Sequence, residues 1–313
     1  MTQEEINKEV AKLLPGILEN VEKARKVNQT IPISGQRYTL PLSGRDIDIA
    51  YYPAANKNAP LLIGAHGGGF LFGGSAMDDD LWVNVVKSLQ VNVASVNYRQ
   101  SPEVMDEECL NDVYDSVLYL RSHAPEFGFD PEHISVFGCS AGGNLAAALC
   151  LKAVRTKEFS LDNQILLYPF LDGHTDPDSK GEGSFSGILP HIMNKLHFSP
   201  DRSDDPVLSP IFATADMLHG LPNTIVAYCE HDNLRPEAER YCRMLKDAGV
   251  PVSEFFAENM PHGYIENGFK DHLTVMEMEV LGEHAQELLD SGELRRMSDK
   301  TLAFIRDHMQ QSS

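Results

Sequence analysis

The segment HISVFGCSAGGNLAAALCLKA, residues 133–153, changes character in its middle. Ile134 to Phe137 is a short apolar run of the kind that forms a buried strand, and Asn144 to Ala153 carries a helical pattern. Between them Gly138-Cys139-Ser140-Ala141-Gly142-Gly143 contains only small side chains. A strand that turns sharply into a helix needs this, because larger groups would collide with strand and helix. Such a turn lifts the Ser140 hydroxyl above the carboxyl edge of a sheet. It also aims the first N–H groups of the helix at the same space, where they can bind developing negative charge. Ser140 is therefore a candidate nucleophile; a glycine-rich turn that only packs closely or binds a phosphate is the alternative.

Similar apolar runs recur on both sides, at Leu61 to Ala65, Val91 to Val96, Ile165 to Tyr168 and Thr224 to Tyr228. Helical patterns lie between several of them, as at Glu108 to Arg121 and Glu237 to Ala248. Short, fully apolar strands alternating with helices predict an α/β fold with a mostly parallel sheet covered on both faces. Residues 36–171 and 213–313 are expected to form this core. Arg37 to Tyr52 alternates apolar and polar residues around Ser43-Gly44, a hairpin signal. Residues 3–28 show helical spacing broken at Pro15-Gly16, which predicts two short helices. From 172 to 212 the pattern dissolves into Asp, Ser, Gly and Pro, as expected of a lid with short helices around Ile188 to Leu196. The chain ends in two helical patterns, Leu273 to Leu289 and Leu294 to Met309.

Composition narrows the partners. With 313 residues, 42% hydrophobic and 23% charged, the chain has the makeup of a folded globular protein. Its formal charge of −20 repels nucleic acid and anionic lipid surfaces. The five cysteines are odd in number, widely spaced and without a CxxC pair, so they read as free, mostly buried thiols and imply no metal site. The N-terminus lacks a secretory pattern and no apolar run is long enough to span a bilayer, so cytoplasmic residence is the default expectation.

A serine nucleophile needs donors for the oxyanion, a base and an acid. His66-Gly67-Gly68-Gly69-Phe70 follows the strand LLIGA, and consecutive glycines leave N–H groups open to a carbonyl oxygen. Phe70 and Leu71, next in the chain, are candidate substrate-binding residues, whereas His66 reads as a loop anchor. Among twelve histidines, His262 in Pro261-His262-Gly263-Tyr264 stands at the end of the strand pattern Val252 to Phe256. Asp232 follows the strand TIVAYC, with Glu230 and His231 as rivals. The order Ser140, Asp232, His262 is that of an α/β-hydrolase triad.

Five motifs in order, HGGGF, NYRQSPE (97–103), GCSAGG, HDNLRPE (231–237) and MPHGY, resemble the hormone-sensitive-lipase-like branch of the α/β hydrolases, also called family IV bacterial esterases. The resemblance runs from about Leu61 to Tyr264. It implies Ser140 as nucleophile, His262 as base, Asp232 as its partner, and the N–H groups of Gly68, Gly69 and Ala141 as the oxyanion hole. It also implies a cap formed by residues 1–35 together with 172–212. Cys139 stands where the family commonly has an acid, so local hydrogen bonding must differ, and modification of that thiol is expected to block the site. Asn233 replaces a usual proline, and the acid usual shortly after appears only as Glu237.

The expected function is a serine carboxylesterase acting on acetyl to about hexanoyl esters, without cofactor or metal, on a small-molecule substrate. Its base must be neutral to accept a proton, so the rate is expected to climb through the ordinary histidine range. Amide or peptide hydrolysis by the same triad is one alternative. A non-catalytic small-molecule receptor on the same fold is another, and the presence of His262 weighs against it. The last helix is expected to pack on the body rather than on a second subunit, although a homodimer is also compatible with it.

Overall fold

The computed structural model describes residues 3–309 except 182, 184 and 185. Those three positions of the expected insert, and residues 1–2 and 310–313 of the expected end segments, lie outside the described residues. Eight strands form one sheet: β1 (Gln36–Leu42), β2 (Arg45–Tyr52), β3 (Pro60–Ala65), β4 (Asn92–Val96), β5 (Asp130–Cys139), β6 (Asn163–Leu167), β7 (Asn223–His231) and β8 (Val252–Pro261). Their order is β1-β2-β4-β3-β5-β6-β7-β8. β1 and β2 are antiparallel and meet in a tight hairpin at Leu42 and Arg45, and the strands from β4 to β8 run parallel.

The helices are α1 (Gln3–Thr30), α2 (Asp79–Leu89), α3 (Glu108–Ser122), α4 (Ala124–Phe127), α5 (Ala141–Thr156), α6 (Ile188–His197), α7 (Ala215–Leu218), α8 (Arg235–Asp247), α9 (Tyr264–Asn267), α10 (Val275–Leu281), α11 (Ala285–Asp290) and α12 (Glu293–His308). None among the described residues is long and apolar enough to cross a membrane. Strand alternation explains why both sheet faces need cover. Leu61, Ile63 and Ala65 of β3 point to the cluster that holds α3, α5 and α8. Leu62 between them points to the opposite cluster with Trp82 of α2 and Leu302 and Ile305 of α12. The apolar face of α12 is thus buried in cis, on the body of its own chain.

Two helical expectations need correction. Residues 3–28 are not two helices: α1 runs unbroken for 28 residues with Pro15 inside it. Proline removes one backbone donor and crowds the preceding turn, but Ile6 and Val10 before it and Val21 after it are all buried in one cluster. That cluster includes Leu71, Ile192 and Met193, so packing against α6 favours one continuous rod over a break. Conversely, the pattern from Leu273 to Leu289 does not form one helix. It splits into α10 and α11 at Gly282, whose φ of 86° lies outside helical space.

Register places the site. In the sheet Ala65 pairs with Gly138, Cys139 with Leu167, and His231 with Pro261. The chain passes from β3 to β4 on one side and then crosses to β5 on the other, which makes the carboxyl ends of β3 and β5 a topological switch point. In open α/β sheets the crevice outside such a point binds ligands. The HGGGF loop leaves from β3 and the serine turn leaves from β5. Asp232 and His262 come one residue after a paired strand end.

Candidate active site

Ser140 sits between β5 and α5 with φ 54° and ψ −116°, a backbone conformation that L-residues rarely adopt. Its surroundings hold it there: its N–H donates to the Leu167 carbonyl (2.9 Å), and its carbonyl accepts from Phe170 and Asn144 (both 3.1 Å). The glycine after the next residue is obligatory, because a Cβ on Gly142 would lie 2.0 Å from the Ala65 carbonyl oxygen. The serine turn and the end of β3 therefore touch backbone to backbone.

The structure brings Ser140, His262 and Asp232 together. His262 Nε2 lies 2.8 Å from Ser140 Oγ, and His262 Nδ1 lies 2.7 Å from Asp232 Oδ2. All three side chains are buried. Asp232 Oδ1 accepts the backbone N–H of Leu234 at 2.9 Å, which fixes the carboxylate plane. The rivals go elsewhere: Glu230 accepts from the backbone of Asn259, and His231 is exposed.

Gly69, Phe70, Ser140 and Ala141 line one narrow crevice, too tight to admit a water molecule, closed by Phe170, Met193 and Asn194. The Gly68 carbonyl accepts from the N–H groups of Leu71 (3.1 Å) and Phe72 (2.8 Å), which fixes the bend of the loop. Phe70 stacks on His197 with ring centroids 3.8 Å apart and meets Phe170 and Phe198 edge-on, forming an aromatic wall. Leu71 does not reach the cleft. Its side chain is fully buried in the cluster with α1 and α6.

His66 behaves as an anchor. It is fully buried, stacks on Tyr98 at 4.2 Å, and its Nδ1 lies 2.8 Å from the Gly67 carbonyl. Burial pushes its pKa down to about 4, so it stays neutral. The NYRQSPE segment proves to be the brace of the glycine loop, a role that sequence reasoning missed. Tyr98 donates to the His66 carbonyl (2.8 Å), Gln100 to the Phe72 carbonyl (2.6 Å), and the Ser101 N–H to the Phe70 carbonyl (2.9 Å). Arg25 of α1 in turn donates to the carbonyls of Gln100 and Ser101. Glu237 accepts the Leu171 N–H and pairs with Lys180 at 2.7 Å, tying the segment after β6 to α8.

All five cysteines are free and buried. Cys139 is 1% exposed, and burial together with the neighbouring Glu266 raises its thiol well above the usual range. A thiol in that state is a poor nucleophile out of reach of reagents, so the expected block through Cys139 is not supported. Glu266 had no signal in the sequence beyond standing four residues after His262. It accepts a hydrogen bond from Tyr168, whose ring lies 4.8 Å from that of His262.

A parallel sheet that delivers these groups to one crevice at its switch point is an α/β hydrolase. Residues 62–266 match the α/β hydrolase fold family. The chain is 32% identical over 236 residues to an arylesterase of Saccharolobus solfataricus, covering 73% of this chain and 74% of that one. It is 31% identical over 228 residues to carboxylesterase NlhH of Mycobacterium tuberculosis, covering 70% and 72%. Among solved structures, EstE1, a thermophilic carboxylesterase cloned from a metagenomic library, superposes with a TM-score of 0.76 at 27% identity over 96% of this chain and 98% of that one. The chain belongs to the hormone-sensitive-lipase-like branch, family IV, of the α/β hydrolases.

Proposed function

We propose that this carboxylic ester hydrolase cleaves esters of short to medium acyl chains, acetyl to about hexanoyl, through an acyl-enzyme on Ser140. The observation that carries the reading is the unbroken line of two hydrogen bonds from Ser140 through His262 to Asp232. In the reactive tautomer His262 Nδ1–H donates to Asp232, which leaves Nε2 free to take the serine proton. Oγ then bonds to the ester carbonyl carbon. The carbonyl electron pair moves onto oxygen, where the N–H groups of Gly68, Gly69 and Ala141 receive it. Collapse breaks the bond to the alkoxy group, which leaves as alcohol with the proton from His262. Water repeats the cycle and releases the acid.

The narrowness of the crevice and its closure by α6 support a preference for short acyl groups. In this reading α1 and the segment 172–212 act as a cap, held together by Ile6, Val10, Ile192 and Met193. The aromatic wall of Phe70, Phe170 and Phe198 receives the acyl chain. A nitrophenyl ester series from acetate to decanoate, run on wild type and Ser140→Ala, tests this. The expected result is a maximum at or below hexanoate that vanishes in the variant. Full activity in Ser140→Ala would reject the nucleophile, and a maximum at decanoate would reject the cleft as the limit. A matched anilide turned over as fast as the ester would favour amide hydrolysis instead.

A further inference from the structure

Glu266 is a carboxyl beside the serine turn that the reaction above leaves unused. It stands on α9, directly after His262, and is partly buried. Three contacts place it. Its Oε1 lies 3.2 Å from the position a Cβ would take on Gly67, and that same position is 3.7 Å from Ser140 Cβ. Its Oε2 accepts from the Tyr168 hydroxyl. The Cys139 thiol, immediately before the nucleophile, is hydrogen-bonded to it as well. One side chain thus bonds the residue before the nucleophile and the ring that packs on His262, and its carboxyl lies alongside the glycine loop at Gly67.

We propose that Glu266 is a positioning residue that fastens the serine turn, the oxyanion loop and the Tyr168–His262 contact into one unit. It supplies from α9 the carboxyl that Cys139 lacks. The inference rests on the serine-esterase reading and deepens it.

Burial and the Asp78 carboxyl favour the neutral form. Around Glu266 are the Asp78 carboxyl before α2, the Lys270 ammonium, the Cys139 thiol and the Tyr168 hydroxyl, and Glu277 of α10 acts on Asp78 and Lys270. Lys270 is already engaged with Glu277 at 2.5 Å. Desolvation first and Asp78 second push Glu266 up to about 8, against the opposing pull of a backbone hydrogen bond, Lys270 and the Cys139 thiol. Ionising it would put a negative charge beside Gly67, next to the place where the ester oxygen becomes an anion, and would weaken the stabilisation of that anion. The expected signature is loss of turnover above pH about 8 on a limb that His262 does not cause.

The test is kcat and KM for nitrophenyl acetate between pH 5.5 and 10 on wild type, Glu266→Gln and Glu266→Ala, with Ser140→Ala as background and a thermal melt for each protein. Alanine should lower kcat by on the order of tenfold to a hundredfold with KM changed by less than about threefold, as expected when reacting groups shift slightly. Glutamine, neutral and of the same shape, should restore most of that loss and abolish the alkaline limb. The proposal is overturned if glutamine is as impaired as alanine, if the alkaline limb is unchanged in the glutamine variant, or if folded Glu266→Ala keeps wild-type kcat. Should Glu266→Ala fail to fold, the wild-type and glutamine profiles decide alone. Activity surviving in Ser140→Ala would overturn the serine reading itself, whereas the other failures leave that reading standing.

Discussion

The Met193 thioether of α6 lies over the backbone of Gly69, so close that a Cβ on residue 69 would meet its methyl carbon at 2.2 Å and its sulfur at 2.4 Å. Met193 closes the crevice that Ser140 and Phe170 line, while the φ of 60° at Gly69 is what disfavours a side chain there. A flexible thioether fits irregular gaps and yields to substitution, so its truncation should lengthen the acyl pocket while leaving the hydrogen bonds at Ser140 in place. Met193→Ala is expected to move the optimum of the nitrophenyl series by two or more carbons. Buried truncation should also cost about 2 kcal/mol or more of stability, read by denaturant melts. An unchanged chain-length profile would show that Met193 does not bound the acyl site.

The His262–Asp232 contact makes a separate statement. Because Asp232 accepts from His262 Nδ1 and from Leu234 N–H, an amide at this position would present a donor to one of them. Asp232→Asn should keep the fold and lower kcat on the order of 10⁴-fold by favouring the wrong imidazole tautomer. Stopped assays on the purified variant, with melting temperature as the control for folding, measure this. A loss below tenfold would mean that Asp232 does not orient the base.

Tyr98 supports the glycine loop through one hydroxyl. Tyr98→Phe keeps the stack on His66 and deletes the bond to the His66 carbonyl in a buried place. The expected cost is about 1 to 3 kcal/mol of stability. The loop N–H groups should also lose alignment, so kcat should fall several-fold with KM nearly unchanged. A stability change without any change in kcat would make Tyr98 a structural residue only.

Much of this was readable from residue types, and the reason is that backbone constraints are local. The serine turn needs small residues at 138, 142 and 143, the hairpin needs Gly44, and apolar runs of four to six residues mark strands buried on both faces. Hence the α/β fold and the positions of Ser140, His262 and Asp232 could be named before any coordinates. Other features depended on partners distant in the chain. Whether Pro15 breaks a helix is decided by Leu71 and Ile192, which cover one face of α1. Whether Leu71 meets substrate is decided by that same cover. Glu266 faces Cys139, Tyr168 and Asp78 only because β5, β6 and the loop before α2 converge, and Gln100 braces Phe72 only because β3 and β4 are neighbours. No pattern within a short window encodes those meetings.

Acid sensitivity follows from the buried histidine beneath the aromatic wall. Desolvation takes His197 down to about 3, whereas its ordinary value is 6.5. Between those values the unfolded chain holds more protons than the folded one, so this residue's share of stability is lost as pH falls below about 6.5. At pH 5 the loss is on the order of 2 kcal/mol. Glu237, raised by desolvation to about 6 from 4.5, works with the opposite sign: its share is complete below about 4.5 and fades as pH rises through about 6. The two overlap in the wild-type curve, and a variant separates them. His197→Phe retains a ring to stack on Phe70 and gives up the 3.0 Å contact with Ser101 Oγ. Its stability relative to wild type should improve by about 2 kcal/mol between pH 7.5 and pH 5, measured by urea melts at each pH. A difference that stays flat across that range would mean His197 takes up its proton equally in the folded and unfolded chain, and that the stack on Phe70 does not keep it neutral.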